Sequence, residues 1–320
     1  MSEIASDIGS LKESLLAGRS RPLAQAISLV ESHDPSAARL LAEIYPSTGR
    51  ARIIGITGSP GSGKSTLVAA LARFYRKQEK RVGIIAVDPT SPFTGGAILG
   101  DRIRMTDLYT DRGVFIRSMA TRGFLGGLAK ATNDVVDILD AAGFDVVLVE
   151  TVGVGQDEVE VVRTVQTNVV VLVPGMGDDI QAIKAGIMEI GDIFVVNKAD
   201  RPGADRTVNE ITMMMSLVEE HAEWVPPIVK TVASRSEGIQ ELAGALEKHF
   251  EHLGASGELD RRNRDRVRIR IETQLKERFM ERLIGETMQR AEYEQLLDDV
   301  LHKRDNPHDA AESVLRRVTF

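Results

Sequence analysis

Eight consecutive residues, Gly58-Ser59-Pro60-Gly61-Ser62-Gly63-Lys64-Ser65, have the types and spacing to hold a polyphosphate. The glycines let the backbone curl so that successive N–H groups, and the start of a following helix, point at phosphate oxygens. Lys64 adds a point charge on those oxygens, and the Ser65 hydroxyl stands where Mg²⁺ would be held. Such a loop needs a strand before it and a helix after it. The apolar run Ile53-Ile54-Gly55-Ile56 supplies the first, and Leu67, Ala70, Leu71 and Phe74 at helical spacing supply the second. Residues Gly58 to Thr66 are accordingly read as nucleotide-binding.

A second motif selects the base. Asn197-Lys198-Ala199-Asp200 follows the apolar run Ile193 to Val196, about 130 residues after the phosphate loop. Asp200 can accept hydrogen bonds from both the N1–H and the exocyclic amine of guanine. Adenine offers no such pair and would leave the carboxylate desolvated and unpaired. Lys198 would lie along the base plane, and Asn197 would tie this loop back to the phosphate loop. Alone, the tetrapeptide is a common turn at a helix start; behind a phosphate loop in the same pattern it is a guanine reader. Ala233-Ser234-Arg235, after the last apolar run, suits a backbone contact to the guanine carbonyl.

The remaining candidates surround the γ-phosphate. Asp88, in Asp88-Pro89-Thr90-Ser91-Pro92, can hold a water on Mg²⁺ or cap the turn before Pro89. The Gly-rich stretch Gly95 to Arg102 suits a loop ordered by γ-phosphate, with Asp101 as its metal or water contact. Glu150-Thr151-Val152-Gly153 has the acid-x-x-Gly form in which the Gly153 N–H senses γ-phosphate and Glu150 stands near Mg²⁺ or the attacking water. Where Ras-like enzymes have a water-orienting Gln after this Gly, the chain has Val154, with Gln156 two positions further on, so a low intrinsic rate is expected. In Pro174 to Lys184, Asp178, Asp179 and Lys184 either reach the nucleotide or a partner, or the acids merely cap a helix. The expected catalytic set is Lys64, Asp101, Glu150, Gly153 and Lys184; the expected metal set is Ser65, Asp88, Asp101 and Glu150.

Elements that would position these groups are legible as well. Seven apolar, β-branched runs, Ile53 to Thr57, Val82 to Val87, Val114 to Arg117, Val146 to Val149, Val169 to Val173, Ile193 to Val196 and Ile228 to Thr231, alternate with helical patterns. Continuous apolar strands separated by helices imply an α/β, three-layer sandwich with a mostly parallel sheet, whose ligands sit at the carboxyl ends of the strands. Before it, Ile8, Leu11 and Leu15, then Leu23, Ile27 and Val30, then Ala37 to Ile44 behind Asp34-Pro35, form a helical N-terminal layer. After Gly257, Val267, Ile271, Leu275, Phe279 and Leu283 recur every four residues, and a second helix covers Tyr293 to Leu301. This two-helix appendage has little core and is expected to pack on a second copy of the chain. The division expected is 1–47 helical extension, 48–253 nucleotide domain and 258–320 helical dimerisation arm.

Composition bounds the rest. The 320 residues carry a net charge of −7, which argues against nucleic acid or an anionic membrane as partner. The basic run Arg261 to Arg270 is interleaved with acids and reads as a solvated helix face. No window is apolar enough to span a membrane, and Met1-Ser2-Glu3-Ile4 lacks the basic and apolar regions of an export peptide. With no cysteine there are no disulfides or thiolate metal sites. A cytoplasmic protein is expected.

Together these segments resemble the MeaB/ArgK family of GTPases, whose human relative is the methylmalonic aciduria type A protein. The most specific stretches are Asp88 to Met105, Ala120 to Leu128, Glu150 to Gln156 and Ile183 to Glu189. The resemblance implies the signal-recognition and MinD class of P-loop fold, dimerisation through the C-terminal arm, and GTP or GDP with Mg²⁺ as the bound species. It further implies service to adenosylcobalamin-dependent methylmalonyl-CoA mutase: gating cofactor loading and protecting or reactivating the mutase, with no cobalamin bound by this chain itself. The family's switch loops fall on the Asp101 region, Glu150 to Gln156 and Gly177 to Lys184. Alternatives are a nickel-insertion GTPase, which needs Cys and His clusters where this chain has only His249 and His252, read as a solvated pair; a MinD-type ATPase, which needs a lysine where Ser59 stands; and a GTP-binding module for another acyl-CoA mutase.

Overall fold

Val, Ile and Leu occupy successive positions of the strands, so side chains on both sides of the sheet need cover, and helices on both faces provide it. The computed structural model describes residues 2–88, 105, 107–120, 127–151, 165–175, 190–216, 223–282 and 290–316. Its strands are β1 (Arg52–Gly58), β2 (Val82–Asp88), β3 (Val114–Ala120), β4 (Val146–Glu150), β5 (Thr167–Leu172), β6 (Ile193–Asn197) and β7 (Ile228–Thr231). They form one sheet in the order β3-β2-β4-β1-β5-β6-β7, every neighbouring pair parallel. This is the expected P-loop class of fold. β1 lies between β4 and β5, with Ile56 opposite both Glu150 and Val169. The phosphate loop therefore leaves the sheet beside the end of β4.

One face is covered by α1 (Ser2–Leu16), α2 (Ser20–Glu31), α3 (Pro35–Ile44) and α5 (Gly127–Ala141). Leu15, Leu23, Ile27, Leu40 and Ile44 from this layer share a core with Ile53, Ile85, Val147 and Val149. Asp34 caps α3 by accepting the Ser36 N–H at 2.8 Å, with Pro35 at the first helical position. The layer is fastened to β1 by Asp140, buried at the end of α5, whose carboxylate accepts the amides of Gly49, Arg50 and Ala51. The opposite face carries α4 (Lys64–Lys77) and α7 (Ile239–Ser256), where Leu67, Leu71, Leu242 and Leu246 pack on Ile54, Ile56, Ile84 and Leu148. α6 (Ala204–Met215) places Ile211 against Val170 and Phe194.

The chain divides into two compact units, Met1–Asn263 and Arg264–Phe320. In the second, the long helix α8 (Glu258–Arg282), which begins in the first, is followed by α9 (Arg290–Leu301) and α10 (Pro307–Leu315). The third helix was not expected, although Asn306-Pro307 carries a cap-and-proline start: the Asn306 side chain accepts the amides of His308 and Asp309, both at 3.0 Å. Val314 packs there against Tyr293 and Leu296. Along α8, Val267, Ile271, Leu275 and Phe279 form an apolar stripe left 40% to 61% exposed. Leu283, its expected continuation, lies outside the described residues.

Two expectations of solvated residues are corrected. His249 is fully buried, its Nδ1 2.8 Å from the Thr167 hydroxyl and its Nε2 3.3 Å from Oδ1 of Asp192. Arg262 is no surface member of its basic run: it forks onto Asp192 at 2.8 and 2.9 Å. Asp192 also accepts the Asn168 amide at 2.8 Å, so it joins β5, β6, α7 and the start of α8. Burial pushes the Asp192 carboxyl up, but the approach of His249 and the fork from Arg262 outweigh it and hold the group below its ordinary value. A carboxyl depressed in the folded state stabilises above its unfolded value, and that stability is lost as pH falls through the folded value. Asp192→Asn is expected to cost about 1–3 kcal/mol at neutral pH, because Arg262 loses its fork and keeps only Glu258 and the Gln166 carbonyl. Denaturant midpoints measured against pH should show the gap from wild type narrowing as pH falls below 3.8; a gap as wide at about pH 2 as at pH 7 would show that charge is not its source.

Candidate functional site

At the carboxyl ends of β1, β4 and β6, described residues of three sequence motifs come together. Gly58, Gly61 and Gly63 have φ of 140°, 75° and 92°, which turn their amides inward. At two of these no side chain fits: a Cβ on Gly58 would collide with the Val171 carbonyl, and one on Gly63 with the Asn197 side-chain amide. Lys64 and Ser65 open α4 and are buried. The Lys64 ammonium donates to the carbonyls of Gly58 at 2.7 Å and Ser59 at 3.1 Å. The Ser65 hydroxyl donates to Oε1 of Glu150 at 2.6 Å across the β1–β4 junction.

The expected tether between the two nucleotide loops is present. Asn197 donates from Nδ2 to the Ser62 carbonyl at 2.8 Å, and its Oδ1 accepts from the Thr231 hydroxyl and the Ala233 amide, both at 3.1 Å. Lys198, at φ 56°, extends its ammonium to the Gly61 carbonyl at 2.6 Å. Asp200 stays exposed beside this cluster, with the Arg235 guanidinium 3.8 Å away and held by Glu237 at 2.9 Å. Ser234 completes the turn Ala233–Arg235. Thr231, whose hydroxyl braces Asn197, went unnoticed in the sequence because it reads as an ordinary strand residue.

Three hydroxyls ring the same region, those of Thr57, Ser62 and Thr151, each buried and without a hydrogen-bond partner among the described residues. Orphaned polar groups at the mouth of a curled, inward-facing loop fit a missing polar ligand. The donor set also fits a hard divalent cation: Ser65 and Glu150 offer a hydroxyl and a carboxylate oxygen side by side. Among the described residues no three His, Cys, Asp or Glu stand together as a metal cluster, so a cation here would take its remaining ligands from the nucleotide and water. Asp88 ends β2, with Ala120 as its partner on β3, and its side chain is outside the description. Asp101, Gly153 and Lys184 lie outside the described residues, as do Val154 and Gln156.

Comparison with known proteins decides which nucleotide chemistry this architecture serves. Residues 23–288 match the family model described as methylmalonyl Co-A mutase-associated GTPase MeaB. The chain belongs to the MeaB family. It is 49% identical over 314 residues to a protein of Pyrococcus abyssi, covering 97% of each chain. It is 41% identical over 252 residues to GTPase ArgK of Escherichia coli, covering 76% of each. A crystal structure titled as a LAO/AO transport system kinase superposes with a TM-score of 0.72 at 28% identity, over 97% of both chains. As a MeaB-family GTPase the protein hydrolyses GTP. No helix among the described residues is long and apolar enough to cross a membrane.

Asn197→Ala removes the tether and leaves the Ala233 amide without its acceptor, a loss of about 1–3 kcal/mol. GTP affinity measured by titration calorimetry should fall by roughly tenfold to a hundredfold, with the phosphate loop chemically intact; unchanged affinity would show that the two loops act independently.

Proposed function

We propose that this MeaB-family GTPase is a G-protein chaperone of adenosylcobalamin-dependent methylmalonyl-CoA mutase, using GTP binding and slow hydrolysis to gate cofactor loading and to protect or reactivate the mutase. The family description supports the partner class. The observation that supports the switch half of the reading is that Ser65 bonds Glu150 and Asn197 bonds Ser62, so the residues read as cation, phosphate and base contacts lie together at the carboxyl ends of the strands.

In this reading Lys64 exchanges its carbonyl partners for the β- and γ-phosphates, and inward amides from Gly58 to Ser65 cradle them. Ser65 and Glu150 would hold Mg²⁺, with Asp88 and Asp101 reaching it through water, and the ion would supply charge neutralisation for phosphoryl transfer. Gly153 and Lys184 report γ-phosphate to the partner. Asp200 reads guanine once Arg235 yields to the base. Because the Ala233 amide is committed to Asn197, the backbone contact to the guanine carbonyl falls to Ser234. Val154, in place of a water-orienting Gln, makes the basal rate low and leaves acceleration to the partner.

Two copies join through the arm in the same reading, burying the α8 stripe of Val267, Ile271, Leu275 and Phe279 as a helical seam. A chain ending at Asn263 keeps the Arg262–Asp192 clamp and should bind GTP as a monomer; sedimentation of that chain as a dimer would move the interface elsewhere. Steady-state GTP hydrolysis with and without the mutase tests the partnership: stimulation of tenfold or more is expected, and an unchanged rate at saturating mutase would refute it. Asp200→Asn should shift preference from guanosine to xanthosine triphosphate, whereas retained guanine selectivity would overturn the assignment of the base reader.

A further inference from the structure

The edge of the sheet remote from the phosphate loop carries a second hollow. It occupies about 610 Å³ beside the N-terminal end of β6 and is lined by Phe194, Met215, Trp224, Pro226, His252 and Leu253, with the Asp192 cluster forming its floor. Asp192 and Asn197 stand at opposite ends of β6, about 17 Å apart at roughly 3.3 Å per residue, so this cavity is separate from the guanine loop. A hollow of this volume with aromatic walls is the size of a small-molecule site.

Its chemistry selects a class of ligand. The charges in its wall are spent on one another: Arg262 forks onto Asp192 and reaches Glu258 at 3.0 Å, and Arg261 forks onto Glu258. Glu223, at the rim, is exposed to solvent and screened. An aromatic corner remains, in which the Trp224 ring lies 4.8 Å from His249 and 5.2 Å from His252. Trp224 is held in place by its indole N–H, which donates to the Asp192 carbonyl at 2.9 Å. His249 itself is fully buried, held between the Thr167 hydroxyl and the Asp192 carboxylate.

We propose that this cavity binds a neutral, flat, bicyclic aromatic molecule, stacked on Trp224 and His252. The inference is independent of the mutase reading. Ligand-observed ¹⁹F NMR on the full chain tests it with 6-fluoroindole as the probe. Saturable binding with a Kd below about 1 mM is expected, undiminished by saturating GTP. The anionic indole-3-acetate and the cationic tryptamine should compete at least fivefold more weakly than indole. Ser216→Phe, at an exposed lining position, should abolish probe binding while leaving GTP hydrolysis and melting temperature unchanged; Trp224→Leu should weaken the probe at least tenfold. Absence of binding at millimolar probe, displacement by GTP, preference for either charged analogue, or indifference to Ser216→Phe would each overturn the proposal.

Discussion

The Asn197 side chain is the junction on which the nucleotide site depends. One amide donates to a carbonyl of the phosphate loop, 135 residues earlier in the chain, and accepts from the turn after β7, 36 residues later. The bonds are buried, so each is expensive to leave unmade. They also explain why Gly63 has no side chain, because a Cβ there would occupy the space of the Asn197 amide. Loop conformation, base loop and last strand are thus one construction.

The parallel sheet is what brings these loops together. Because every strand runs the same way, every strand-to-helix turn emerges at one edge, and chemistry scattered along the sequence is gathered there. Glu150 meets Ser65 for this reason: β4 is inserted beside β1 although β2 and β3 intervene in the chain. The opposite edge has a different character. There Asp192 collects Arg262, His249 and the Asn168 amide into a buried ionic knot from which α8 starts. Nucleotide chemistry and the root of the C-terminal helices are therefore at opposite ends of the same strands.

Family membership and geometry answer separate questions. The matched family establishes GTP hydrolysis, while the structure shows what stands at the loop: the Lys64 ammonium on the loop carbonyls and the Ser65 hydroxyl on the Glu150 carboxylate. The exposed apolar stripe on α8 differs in kind, since its helical spacing is visible in the sequence and its exposure only in the structure.

Local chemistry was readable in the chain itself. The phosphate loop, the Asn-Lys-x-Asp motif, all seven strands and the Asp34-Pro35 cap depend on residue type and short spacing, because backbone conformation and hydrophobic period are local properties. The Asn306-Pro307 cap is equally local. What only the tertiary structure decided were pairings between distant side chains. His249 and Arg262 sit in polar, charged surroundings in sequence and read as solvated, yet folding sets both against Asp192, where a shared buried carboxylate outweighs their individual preference for water. Thr231 as a brace, Asp140 as a cap for the entry into β1, and the cavity beside Trp224 have the same origin: each is a juxtaposition created by strand order, and strand order leaves no mark on the residues immediately around them.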